Sequence, residues 1–216
     1  MRALIVGGGP VDSSQLKNEL AAEPELLIAA DAGGKRLADL GRFPHILVGD
    51  FDSISGDILE AARKAGTVIY PYPAAKDQTD MELAVDLALE RGANRLRILG
   101  GLGGRLDHTL ANLGLLAKAA QKGVTAVLLD SRHEVSLSDG HLELRSVPGR
   151  AVSLIPLTPE VKGVRTDGLK FPLLDEDLYF HHTRGIHNEF TGEAARITFK
   201  QGLLLAVIFR EDNPVD

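Results

Sequence analysis

Up to about Asp130 the chain alternates short apolar runs with longer amphipathic segments, and few architectures accept that pattern. The runs are Arg2 to Val6, Leu26 to Ala30, Ile46 to Val48, Thr67 to Tyr70, Arg95 to Leu99 and Val124 to Leu129. Between them, helical periodicity predicts Ser14 to Ala22, Lys35 to Leu40, Asp57 to Lys64, Met81 to Arg91 and His108 to Gln121. Strands alternating with helices imply a largely parallel sheet covered on both faces. Beyond Asp130 the texture changes to β-type segments separated by Gly, Pro and Asp turns. The clearest are His133 to Ser138, His141 to Val147, Ala151 to Leu157, Ala194 to Phe199 and Leu203 to Phe209, with Asp139-Gly140 as a hairpin turn. The expected organisation is therefore an α/β domain over residues 1–131 and an all-β domain over residues 132–216.

A chain of 216 residues, 44% of them hydrophobic, can bury a core in each domain. No apolar run approaches the length of a membrane span, and Ala3-Leu4-Ile5-Val6 follows the first residues without a cleavable signal pattern, so a cytoplasmic protein is expected, without a membrane partner. The absence of cysteine excludes disulfides, thiolate catalysis and thiolate zinc sites. The formal charge is −6, with no basic block, and aromatic residues are only 5%; a nucleic-acid partner is not expected. A phosphorylated ligand must then be held locally, by a few cationic side chains, backbone N–H groups and a metal.

Gly49-Asp50-Phe51-Asp52-Ser53 sets two carboxylates two residues apart where Ile46-Leu47-Val48 ends. In an extended backbone those side chains project to one side, and two such charges become tolerable when a hard cation lies between them. Aspartates at strand ends also serve as turn and cap residues, a reading that stays open for the pair alone. Asp31 follows Leu26 to Ala30, however, and Asp77 and Asp80 follow Val68-Ile69-Tyr70. Acids in register with several strand ends converge on the crevice where parallel sheets bind ligands, which points to a shared metal and phosphate site. Thr79-Asp80-Met81-Glu82 also reads as a capping box.

A second motif, Gly100-Gly101-Leu102-Gly103-Gly104-Arg105-Leu106-Asp107-His108, joins a strand to a helix. Glycines such as Gly101 and Gly104 let backbone N–H groups approach a phosphate, and Arg105 adds a charged fork; tight packing is the competing explanation. Asp107 is expected to cap a helix starting at His108. No loop ends in the Lys-Ser/Thr of a P-loop, and Gly7-Gly8-Gly9 lacks the dinucleotide spacing, which disfavours both of those classes. What remains suits metal-assisted transfer of a phosphate-containing group.

Ala30-Asp31-Ala32-Gly33-Gly34, Gly49-Asp50-Phe51-Asp52-Ser53, Asp77-Gln78-Thr79-Asp80 and the Gly100-to-Asp107 motif, in this order, resemble the thiamine pyrophosphokinase family. The likeness continues through Asp167-Gly168-Leu169-Lys170-Phe171-Pro172-Leu173 and Gly185-Ile186-His187-Asn188-Glu189-Phe190. It implies transfer of the β,γ-diphosphate of ATP to the hydroxyl of thiamine, releasing AMP, with Mg2+ as the usual metal. It also implies a Rossmann-like catalytic domain followed by a β-sandwich, in a homodimer with thiamine near the subunit interface. Carried over by motif, Asp31, Asp50, Asp52 and Asp80 form the acidic magnesium and nucleotide centre, with Asp77 and Thr79 beside it. Gly101, Gly104, Arg105 and Asp107 lie near the nucleotide, and Phe171 and Asn188 approach thiamine.

Two positions depart from the family pattern on the thiamine side: His187 stands where serine is common, and Phe171 where several relatives have tryptophan. A metal-dependent phosphohydrolase and a non-catalytic nucleotide or thiamine sensor are the alternatives to weigh. His181-His182, with His187 nearby, lacks the usual zinc spacing and reads as exposed histidines in a turn-rich segment.

Overall fold

The computed structural model describes residues 1–73 and 77–210. The chain divides into two compact units, Met1–Leu115 with Gly123–Asp130, and Leu116–Lys122 with Ser131–Asp216.

In the first unit β1 (Arg2–Val6), β2 (Leu26–Ala30), β3 (Ile46–Gly49), β4 (Val68–Pro71), β5 (Arg95–Leu99) and β6 (Thr125–Leu129) lie in the order β6-β5-β1-β2-β3-β4. Every pairing among them is parallel. The connections carry α1 (Ser13–Ala21), α2 (Gly33–Ala38), α3 (Gly56–Lys64), α4 (Asp80–Glu90) and α5 (Leu106–Ala120). Continuous apolar strands are what a sheet covered on both faces requires, and β2 is buried at every position. Leu4, Val6, Leu27, Ala29 and Leu47 meet Leu16 and Leu20 of α1 and Leu37 of α2 in one core.

Two helix starts differ in what they say about the sequence. Thr79 caps α4 as expected, its hydroxyl accepting from the Glu82 N–H at 3.1 Å. Helix α5 begins at Leu106 rather than His108, which puts Asp107 inside the first turn and not at the cap. Its carboxylate still favours that end of the helix, where it accepts from the His108 N–H at 2.9 Å.

The second unit is a sandwich of two antiparallel sheets. One has the order β12-β9-β14-β7, from β7 (His133–Ser138), β9 (Ala151–Pro156), β12 (Asn188–Glu189) and β14 (Leu204–Phe209). The other has the order β11-β10-β13-β8, from β8 (His141–Arg145), β10 (Glu160–Asp167), β11 (Leu174–Tyr179) and β13 (Ala194–Thr198). Leu142, Val161, Leu178 and Ile197 of the second sheet pack with Val152, Leu154, Leu204 and Ala206 of the first, around Phe190. The α/β and β-sandwich architecture expected from the sequence is thus observed.

Strands β10, β11 and β12 are absent from the sequence reading, for physical reasons. In β10 the register shifts between Val161 and Val164, so the two-residue alternation breaks around Gly163, which has φ +65°. Strand β11 is an edge strand rich in acids, a composition that blunts edge-to-edge pairing and hides strand character. Only two residues form β12.

Phe190 is 2% exposed at the centre of the sandwich. Phe190→Ala is expected to lower the stability of this unit by about 3 to 5 kcal/mol, measured by denaturant unfolding; a loss below about 1 kcal/mol would mean that the sandwich core does not depend on that ring.

Candidate active site

The strand order reverses at β1: β2, β3 and β4 extend to one side, β5 and β6 to the other. In open parallel sheets the loops leaving the strands on either side of such a point part and leave a crevice at their carboxyl ends. A cavity of about 470 Å³ opens there, lined by Gly8 and Gly9 after β1, Asp31 after β2, Asp50 after β3, and Gly100 and Gly101 after β5. Gln78, Thr79, Asp80 and Met81 at the start of α4, with Gly104, Arg105, His108, Thr109 and Asn112 around the start of α5, complete most of the lining.

Asp31 and Asp50 of this lining and Asp52, which is outside it, each offer a carboxylate oxygen within 4.8 Å of the others. The extended geometry expected for Asp50 and Asp52 is not what brings them together. Phe51 has φ +64°, so the backbone reverses between the two aspartates while Phe51 packs against the core of the first unit. The Asp52 N–H then donates to Asp50 Oδ1 at 3.2 Å, an Asx-type turn. Gly49 makes the approach possible: it has φ +147°, and a Cβ there would lie 3.3 Å from the Asp31 backbone. Asp31, itself at φ +46°, is fixed by its N–H donating to the Val48 carbonyl and by the Ser53 hydroxyl donating to its carboxylate at 2.6 Å.

The charge of Asp50, then desolvation, then the charge of Asp31 raise the pKa of Asp52 above its ordinary value. Three oxygen donors this close fit a hard divalent cation, which prefers carboxylates and water. Asp80 lines the same cavity but is not one of these three, and Asp77 and Asp107 are not in the lining.

Arg105 lies at the crevice, 76% exposed at its side chain, and forms a two-bond fork with Asp107 at 3.1 and 2.6 Å. That fork and the His108 N–H hold the Asp107 carboxyl down to about 2. His108, Thr109 and Asn112, together with Arg105, recur at helical spacing along one side of α5. This polar stripe was present in the sequence but was masked by the apolar character of the rest of the helix. Asn112 is buried and donates to the Gly101 carbonyl at 2.9 Å, fixing the second glycine turn from behind.

The second unit brings Phe171, Asn188 and His187 into adjoining segments. Asn188 is buried, and its Oδ1 accepts from the N–H groups of Phe171 and Glu189, both at 2.9 Å, while its Nδ2 donates to the Phe171 carbonyl at 2.7 Å. Among the described residues this leaves one N–H of the amide uncommitted, so Asn188 acts on Phe171 more than on a ligand edge. Phe171 is 54% exposed, with the Lys170 ammonium 5.4 Å from its ring centroid. His187 has φ +57°, and its N–H donates to the buried Ser153 hydroxyl at 3.0 Å. The rings of His181 and His182 pack on each other and on Tyr179, and neither belongs to a metal-compatible cluster among the described residues.

Carboxylates converging near the switch point of a parallel sheet, beside two glycine turns, define an α/β protein of the phosphate-handling class. The catalytic-domain model of thiamin pyrophosphokinase matches residues 17–128, and the vitamin B1 binding domain model of the same family matches residues 133–204. A thiamine pyrophosphokinase of Bacillus subtilis is 32% identical over 205 residues, covering 94% of this chain and 96% of the relative. The crystal structure of a Bacillus subtilis thiamine pyrophosphokinase superposes with a TM-score of 0.85 at 29% identity, covering 98% of this chain and 100% of that one. That of a Geobacillus thermodenitrificans thiamin pyrophosphokinase gives 0.82 at 28%, with both chains fully covered. The chain belongs to the thiamine pyrophosphokinase family.

Asp52→Asn relieves like-charge repulsion that is present only while the carboxyls are ionised. In the presence of a chelator near pH 7 the variant is therefore expected to melt at or above the wild-type temperature. The difference should fade as pH falls through the ordinary carboxylate range and vanish below about pH 3, where Asp52 is protonated in both folded and unfolded chains. Added Mg2+ should raise the wild-type melting temperature more than that of the variant; equal shifts would separate Asp52 from the metal.

Proposed function

We infer that this chain transfers the β,γ-diphosphate of ATP to the hydroxyl of thiamine, giving thiamine diphosphate and AMP. The observation that carries the reading is the acidic trio, two of whose members line a glycine-bordered crevice, in a chain that matches both domains of the family. Phosphoryl chemistry of this kind depends on positioning and on charge neutralisation. Asp31, Asp50 and Asp52, with Asp80 in the lining of the same cavity as Asp31 and Asp50, would hold the divalent cation, for which we propose Mg2+. When bound, such an ion neutralises charge developing on the phosphoryl oxygens.

The backbone at Gly101 and Gly104 receives the nucleotide, with Asp77, Thr79 and Asp107 flanking it. Arg105 reaches the phosphates by exchanging its bonds to Asp107 for bonds to phosphate oxygens, which are equally suited to a guanidinium fork. On the thiamine side, the exposed face of Phe171 suits a flat cationic ring, Asn188 sets the Phe171 backbone, and His187 stands beside them. A phosphohydrolase is not favoured, and no observation supports a non-catalytic sensor.

Residues 1–131 are proposed as the catalytic, ATP-binding domain and 132–216 as the thiamine-binding and dimerisation domain. No helix among the described residues is long and apolar enough to cross a membrane; we place the reaction in the cytoplasm, where ATP is available. We also propose a homodimer with thiamine near the subunit interface. Exposed Leu174, Phe180 and Ile186 on the second unit and Leu106 and Leu110 on α5 support it, since such side chains are usual interface material.

Incubation with thiamine, ATP and Mg2+ is expected to yield thiamine diphosphate and AMP in equal amounts; ATP hydrolysis without thiamine dependence would overturn the assignment. Asp50→Asn should lower turnover at least about 100-fold at saturating Mg2+, with unchanged circular dichroism. For the dimer, mixing Phe171→Ala and Asp52→Asn chains is expected to restore part of the activity. Heterodimers that form but stay inactive would rule out a site shared between subunits.

A further inference from the structure

Arg36 plays no part in the site as built so far. It stands in α2, the helix that begins just after Asp31. Its Nη2 donates to the Gly8 carbonyl at 2.8 Å and to the Gly9 carbonyl at 2.7 Å. Its Nε is buried and has no acceptor among the described residues. Nor does any carboxylate among the described residues pair with it. A partly buried guanidinium left with an unmatched donor and no counter-ion is a poor device for stability alone, because desolvating such a donor carries a penalty.

What Arg36 fixes is the peptide orientation of a segment that glycine would otherwise leave free. A peptide unit is planar and trans, so its N–H points opposite its carbonyl. With the Gly8 carbonyl tied to Arg36, the Gly9 N–H is directed away from the guanidinium. The N–H groups of Gly8 and Gly9 have no acceptor among the described residues, and both glycines line the crevice. The cradle also adjoins the acidic trio, since a Cβ built on Gly8 would lie 3.8 Å from Asp31 Oδ2. Successive free N–H groups backed by a cation make a concavity for an anion.

We propose that Arg36 is a positioning residue: by tying back the Gly8 carbonyl, and pinning the Gly9 carbonyl beside it, it fixes the segment so that the Gly9 N–H, with the Gly8 N–H next to it, is held ready for phosphate oxygens of the nucleotide. This rests on the diphosphotransfer reading, and it adds to that reading a phosphate contact on the β1 side of the crevice. Asn112 supplies the counterpart behind Gly101 on the β5 side.

The test uses the full chain with Mg2+ present throughout and the α,β-methylene analogue of ATP as probe. In wild type, the amide resonances of Gly8 and Gly9 are expected to shift on adding the analogue and to stay in place with adenosine. Arg36→Met should weaken binding of the analogue at least about tenfold and raise the KM for ATP, with the KM for thiamine within about twofold. Arg36→Lys, which can still donate to both carbonyls, should recover part of the loss. Stationary Gly8 and Gly9 amides, while Asn112 responds to the analogue, would overturn the proposal and leave the diphosphotransfer reading intact. So would an Arg36→Met chain that loses only melting temperature and keeps its affinity. Failure of the wild-type chain to bind the analogue at all would overturn both.

Discussion

Three carboxylates with oxygens inside 4.8 Å of one another are an electrostatic load that the first unit must hold in place, and the surrounding structure follows from that requirement. Left to themselves the charges would swing apart, since exposed aspartates lose little by turning to water. Here they cannot. Asp31 is held by the Val48 carbonyl and the Ser53 hydroxyl, Asp50 follows a glycine whose φ excludes ordinary side chains, and Asp52 is turned back by the reversal at Phe51. The raised proton affinity of Asp52 is the residual trace of that repulsion. A divalent cation would convert the repulsion into attraction, which is why the arrangement reads as a binding site and not as a turn.

The sheet supplies the rest. Its order places β1 and β5 side by side at the point of reversal, so the two glycine turns pack on each other, a Cβ on Gly9 meeting the Gly100 carbonyl, and together they border the crevice beside the acids that follow β2 and β3. Each turn is held by one side chain, Gly8 and Gly9 by Arg36 from outside the crevice lining, and Gly101 by Asn112 from within it. Glycine gives the close approach that phosphate needs but brings no rigidity of its own. The two polar anchors restore that rigidity. In the second unit Asn188 anchors Phe171 in the same manner.

Much of this was legible in the sequence because apolar runs and strand-end acids are local patterns. Strands β1, β2 and β5 begin and end where their apolar runs do, and Asp31, Asp50 and Asp52 were identified as converging. What escaped was non-local or conformational. The convergence of Asp50 and Asp52 comes from a left-handed turn that the sequence Asp-Phe-Asp does not announce. The bulged β10 and the acidic edge β11 lack the alternation that marks a strand. Helix α5 starts at Leu106 because its first turn is stabilised by the Arg105–Asp107 fork and the Asp107 contact to His108. Arg36 was invisible because its partners are backbone carbonyls 27 and 28 positions away.

The central claim is that the acidic trio and the glycine-bordered crevice form one centre, with a divalent cation and the nucleotide phosphates in contact. Electron–nuclear double resonance on the Mn2+-loaded chain tests it most directly, because Mn2+ substitutes for Mg2+ at oxygen sites and reports nearby phosphorus. The account predicts a 31P coupling from the bound α,β-methylene analogue of ATP in the wild-type chain, lost when Asp50 is replaced by Asn. Tightly bound Mn2+ with no phosphorus coupling, or a coupling unchanged by that substitution, would place the metal elsewhere and contradict the account.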